Sequence, residues 1–254
     1  MIDVVLIILG GIGCIAMMGM AMLAMRWLGR SPRVQRLADR ALARLRSQST
    51  IDRMLTWVEA EHPDLERATA PDGTVTLLFS DIEGSTELNE RLGDERWFHV
   101  LGGHNALVRS EVEKHRGYEV KSQGDGFMIA FPNARSAVQA ALGIQHAMES
   151  HGQGDRSQQI RVRIGLHTGE AIRREGDFFG KSVTLAARIA DQARGGEILV
   201  SSLVKELTEA RGDIEFDQPR TVSLKGLGDS YRLFPVRHRG GAQVVDLASA
   251  KATS

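Results

Sequence analysis

Hydrophobic and polar positions change rhythm several times along the 254 residues. From Val4 to Met25 no residue is charged, and these 22 residues, at about 1.5 Å each, make a helix long enough to cross a ~30 Å hydrocarbon layer. Val34, Leu37, Ala38, Ala41, Leu42 and Leu45 then recur at helical spacing with arginines on the other faces, which predicts an amphipathic helix. Thr50 is a candidate cap for a short helix carrying Ile51, Met54, Leu55 and Val58, ending before Pro63. Residues 64–73 read as linker. From Thr74 strands and helices alternate. TVTLLFSD reads as a strand closing on a carboxylate, followed by a helix from about Thr86 to His115 with a break at Gly93. YEVKS and FMIAF flank Gln123-Gly124-Asp125-Gly126, a hairpin signal. A helix over 133–150, the strand IRVRIGLHTGEA, a helix over 180–193 and the strand EILVS follow. This order predicts an α+β domain, with helices covering a mainly antiparallel sheet.

Charge adds an orientation. Overall, 32 Lys and Arg balance 32 Asp and Glu, which argues against a surface built for nucleic acid. The balance is local fiction: seven arginines between residues 26 and 46 face only Asp39, a net charge of +6 directly after the apolar run. The positive-inside rule then places everything after residue 26 in the cytoplasm. Because only Asp3 precedes the run, a cleaved signal peptide lacks its basic start. The expected organisation is a single-pass protein of the inner (plasma) membrane. Residues 1–28 form its anchor, 29–73 an arginine-rich helical linker, 74–236 the main domain and 237–254 a disordered tail. The single cysteine, Cys14, excludes an intramolecular disulfide framework and a cysteine-rich zinc site.

Asp81 at a strand end and Asp125 at a hairpin tip, 44 residues apart, are the candidate chemistry. Strand ends and hairpin tips let side chains converge on a metal held by hard oxygen ligands, as Mg²⁺ requires. The turn from Ile82 through Gly84, Ser85 and Thr86 leads into a helix N-terminus, whose free amides make a phosphate cradle. Metal plus cradle implies a nucleotide. His104, His115, His146, His151 and His167 show no metal-ligand spacing, and Trp97 and Phe98 read as core or interface.

FSDIEGST, VKSQGDGF, RIGLHTGE and DFFGKSVTLAAR, in this order, resemble the successive signatures of the class III nucleotidyl cyclases, most closely the bacterial adenylate cyclases. The resemblance implies a ferredoxin-like catalytic domain that works as a homodimer and converts ATP to 3′,5′-cyclic AMP and pyrophosphate. Two Mg²⁺ or Mn²⁺ ions per site would be held by Asp81, Asp125 and the backbone carbonyl of Ile82. Lys121 and Asp177 fall where the family reads adenine, Arg188 on its transition-state arginine, and Arg163 and Lys225 where it contacts the triphosphate. Thr184 stands where most of the family has asparagine, a shorter reach toward the ribose, which implies a weaker catalyst. A guanylate or relaxed-specificity cyclase, and a membrane-tethered nucleotide-binding or dimerisation module, are the alternatives.

Overall fold

The computed structural model describes residue 65 and residues 67–151, 160–174 and 176–238. The expected membrane span, the amphipathic helices after it and the tail from residue 239 lie outside these residues. Among the described residues no helix is long and apolar enough to cross a membrane.

The first half follows a β-α-β-β-α-β plan. β1 (Thr74–Ile82) leads to α1 (Ser85–Leu92) and α2 (Asp94–Lys114), then to the hairpin of β2 (Tyr118–Gln123) and β3 (Gly126–Phe131), to α3 (Ala134–His151) and to β4 (Val162–Glu170). Gly93 breaks the helical run with φ 78°, a conformation only glycine adopts without strain, so α1 and α2 meet at an angle. These strands pair antiparallel in the order β2-β3-β1-β4, the ferredoxin-like arrangement.

The sheet then grows to seven strands, β2-β3-β1-β4-β7-β9-β8. A small hairpin of β5 (Ile172–Arg174) and β6 (Asp177–Phe179) precedes α4 (Lys181–Gln192), and β7 (Ile198–Ser201) returns parallel to β4. Parallel neighbours need a crossover, and α4 supplies it. α5 (Ser202–Thr208), a 3₁₀ turn at Glu209–Arg211, β8 (Arg220–Ser223) and β9 (Ser230–Pro235) complete the domain. The mainly antiparallel α+β architecture is therefore as expected. The β5–β6 hairpin and the elements after β7 are not among the predicted ones; β5, β6 and β8 hold only three or four residues each.

Strand alternation divides the core. Leu78 and Ile82 point to α2, α3 and α5, where Phe127, Phe131, Ile144 and Val200 join them. Val75, Leu77 and Phe79 point the other way, against Val183, Ala186, Ala187 and Ala190 of α4. α4 lies so close to β4 that a Cβ on Gly165 would stand 2.1 Å from the backbone nitrogen of Ala190. Two ends differ from expectation. Leu65 and Ala68, in the stretch read as linker, are buried in the α4-side core. Arg237, read as the start of the tail, pairs with Asp217 and Glu215, while the ring of His238 reaches the carbonyl of Gly196 at 2.8 Å.

Candidate active site

Alternation along β1 puts Asp81 on the α4 side of the sheet, at the strand's end, where it is 2% exposed. Its register partner on β4 is Arg163, whose guanidinium grips Oδ2 of Asp81 through both Nε and Nη2. Asp125, at the β2–β3 tip and also buried, accepts from the backbone N–H of Ile82 at 3.3 Å. The two carboxylates, far apart in sequence, thus meet at one corner. Burial first, and then the negative charge of Asp125, push the Asp81 carboxyl up to about 7, against the opposing pull of Arg163. Oδ1 of Asp81 is buried with no hydrogen-bond partner. An orphaned carboxylate oxygen beside a second carboxylate is a poor end state for a protein and a good beginning for a divalent cation. Asp81, Asp125 and the Ile82 carbonyl therefore suit such an ion; among the described residues no third acidic, histidine or cysteine side chain joins them.

Lys121 and Asp177 meet as a buried ion pair, Nζ to Oδ2 at 2.6 Å, with Oδ1 of Asp177 accepting from the N–H of Phe178 at 2.7 Å. A β-bulge makes this possible. Glu119 opposes Ile129 and Lys121 opposes Met128, so β2 carries one extra residue, Val120. Without the bulge Lys121 would share the face of Glu119, which pairs with Arg109 of α2. With it, Lys121 turns to the α4 side, where Phe178 is seated in the core and holds Asp177 in place.

The predicted cradle begins at Gly84, in the left-handed conformation at φ 66°, and no side chain caps the start of α1. Ser85 and Thr86 open the helix, leaving its first amides toward the outside. On α4, Thr184 and Arg188 fall one turn apart on the half-exposed stripe, off the buried face; Arg188 donates to Asp191 at 2.8 Å and Thr184 bonds back to the Gly180 carbonyl at 3.4 Å. Lys225 is exposed in the turn after β8. β8 lies four strand positions from β1, on the order of 19 Å at ~4.8 Å per strand. One chain therefore gathers Asp81, Ile82, Asp125 and Arg163 at one corner and Lys121 with Asp177 at another, but leaves Lys225 remote. Of the histidines, burial pushes His167 down to about 4, and its ring bonds Ser201 at 2.9 Å; His104 is held down by burial, against the pull of its bond to Asn105 and of the charge of Asp125. Trp97 packs on the core, whereas Phe98 is 75% exposed. Sequence reading overlooked Glu83, Arg161 and Gly195, which close a small network around the turn after Asp81; the Gly195-Gly196 pair was the available signal.

Residues 68–236 match the pattern of the adenylate and guanylate cyclase catalytic domain. An adenylate cyclase of Podospora anserina is 32% identical over 184 residues, 63% of this chain and 8% of that protein. One of Mycosarcoma maydis is 34% identical over 188 residues, covering 64% of this chain and 7% of its own length. The chain thus spans under a tenth of the length of these relatives. Among solved structures, an adenylate cyclase of Trypanosoma brucei in its monomeric state superimposes with a TM-score of 0.60 at 27% identity, covering 68% of this chain and 92% of the other. A guanylyl cyclase gives 0.59 at 27%, covering 67% and 95%.

Proposed function

The chain belongs to the adenylate and guanylate cyclase catalytic domain family, and from that premise we propose that it converts ATP to 3′,5′-cyclic AMP and pyrophosphate at sites shared by two copies of the domain. The observation that carries this reading is the corner where buried Asp81 and Asp125 meet with an unsatisfied carboxylate oxygen. Two Mg²⁺ or Mn²⁺ ions there would lower the pKa of the ribose 3′-hydroxyl and neutralise the triphosphate. The chain's own groups do the rest by position and charge. Asp81, Asp125 and the Ile82 carbonyl hold the cations, while the amides from Gly84 to Thr86 take phosphate oxygens. Arg163, which pairs with Asp81 here, is the group placed to take triphosphate oxygens beside that corner. The 3′-oxygen forms a bond to the α-phosphorus as the bond to the pyrophosphate oxygen breaks, and the hydroxyl proton passes to solvent.

Lys121 donates to an adenine ring nitrogen and Asp177 accepts from the amino group; guanine presents the opposite pattern at its O6. Arg188 stabilises charge on the α-phosphate, Thr184 donates to the ribose ring oxygen, and Lys225 reaches the triphosphate. The strand order supports a dimer, since Lys225 is four strands from β1 and meets the acidic corner only if a second copy brings it. Residues 4–25 anchor the pair in the plasma membrane with the catalytic domains on the cytoplasmic side, a reading supported by the apolar run and the arginines behind it. A relaxed base choice is the second reading, favoured by equal identity to an adenylate and a guanylyl cyclase. The test is a product assay with ATP and with GTP in Mn²⁺, on the parent and on Asp81→Ala. Cyclic AMP from the parent, reduced at least ~10²-fold in the variant, is expected; full activity in the variant would overturn the assignment.

A further inference from the structure

Glu83 lies between the two functional halves of the turn, after Ile82 and before Gly84, and it is gripped at both ends. Its backbone N–H donates to the Arg161 carbonyl at 2.9 Å. Its Oε1 accepts from the Gly195 N–H at 2.9 Å, and Arg161 approaches Oε2 at 3.5 Å while its own guanidinium donates to the Gly195 carbonyl at 2.5 Å. An exposed turn carboxylate is ordinarily left to water. The exposed ion pair with Arg161 contributes little by itself; the hydrogen bond donated by the N–H of buried Gly195 is the specific element.

The consequence follows from the planar trans peptide joining Ile82 to Glu83, in which the carbonyl and the N–H point in opposite directions. Because the Glu83 N–H is aimed at Arg161, just ahead of β4, the Ile82 carbonyl is aimed away from it. That is the side on which Asp125 takes the Ile82 N–H. A backbone ligand has no rotamer to adjust, so its direction is set only by what holds its peptide. Gly195 is a glycine for space: it is absent from the positive-φ positions, yet a Cβ there would stand 2.5 Å from Oε2 of Glu83 and 2.6 Å from Cβ of Arg161.

We propose that Glu83, locked by Gly195 and Arg161, is the positioning residue that aims the Ile82 carbonyl and the cradle amides at the bound cation and phosphates. This rests on the cyclase reading of the Asp81 corner. The test measures, on the full chain, Mn²⁺ binding in the presence of a non-cyclisable ATP analogue, alongside turnover and thermal unfolding. Glu83→Ala weakens Mn²⁺ binding roughly tenfold and lowers turnover in step, the size seen when a ligand's supporting contact is lost. Glu83→Gln, whose amide oxygen still accepts from Gly195, stays close to the parent in binding and in unfolding midpoint, which separates the hydrogen bond from the charge. Gly195→Ala weakens binding like Glu83→Ala, and the double variant is no worse than either alone. Parent-like Mn²⁺ binding in both Glu83→Ala and Gly195→Ala overturns the proposal while leaving the cyclase reading intact. A parent that binds no Mn²⁺ with nucleotide overturns both.

Discussion

Two buried pairs of ionisable groups share one face of the sheet, and they are built on opposite principles. Lys121 and Asp177 satisfy each other at 2.6 Å, with the Phe178 amide taking the remaining carboxylate oxygen. Asp81 and Asp125 are alike in charge and Arg163 offsets Asp81 only in part, so one Asp81 oxygen is left unpartnered and its carboxyl is pushed up to about 7. The first pair already holds an internal ion pair, and in the proposed reading a base exchanges hydrogen bonds with it. The second is incomplete until positive charge arrives. A protein that reads one part of a ligand and ionises around another needs both kinds of corner: satisfied groups give selectivity, and unsatisfied ones give affinity for a cation.

Removing one charge from each pair sharpens that contrast, because stability should move in opposite directions. Lys121→Met strands a buried carboxylate and lowers unfolding stability by about 3 kcal/mol, and Lys121→Met with Asp177→Leu recovers most of it. Asp81→Asn, measured without metal near pH 8, raises the unfolding midpoint by relieving the repulsion. Equal losses in both single variants would break the comparison. The next effect is in pH. Asp81 keeps a proton in the folded chain up to about 7, where the unfolded chain releases it near the ordinary aspartate value of 3.8. Metal-free stability from this group therefore falls as pH rises between those values and levels off above them. Mn²⁺ must displace that proton, so its affinity rises about tenfold between pH 6 and pH 8, measured by calorimetry with proton release. The smallest effect concerns reach: Thr184→Asn raises turnover only a few-fold, about 1 kcal/mol from a better-reaching donor in place of the hydroxyl, as product formed per unit time with saturating ATP.

The sheet's first half was legible because its signals are local. β1 is a nine-residue run of β-branched and apolar residues closing near a carboxylate, the Gly124-Asp125 tip marks a hairpin, and Gly93 marks a helix break. The small β5–β6 hairpin, with three residues per strand, and the four-residue β8 were not, since they mix charged and apolar residues and lack the continuous apolar run that marks the equally short β7. The placement of Leu65 and Ala68 in the core was equally invisible: in DLERATAPDG two apolar side chains among polar ones read as linker until the face that covers them is known.

Within the candidate site the residues were named by sequence and their relations by the fold. The chain alone determined that carboxylates end β1 and occupy the hairpin tip, that glycine and hydroxyl residues open α1, and that the motifs resemble a cyclase. Composition could not say that β2 carries one extra residue at Val120, although that single offset decides whether Lys121 faces Arg109 or Asp177. Nor could it show Glu83 bridging to Gly195 across 112 positions. Local periodicity is written in neighbouring residues, whereas register, burial and the electrostatic frustration at Asp81 arise only when distant strands are brought within a few ångströms. Those quantities belong to the folded chain.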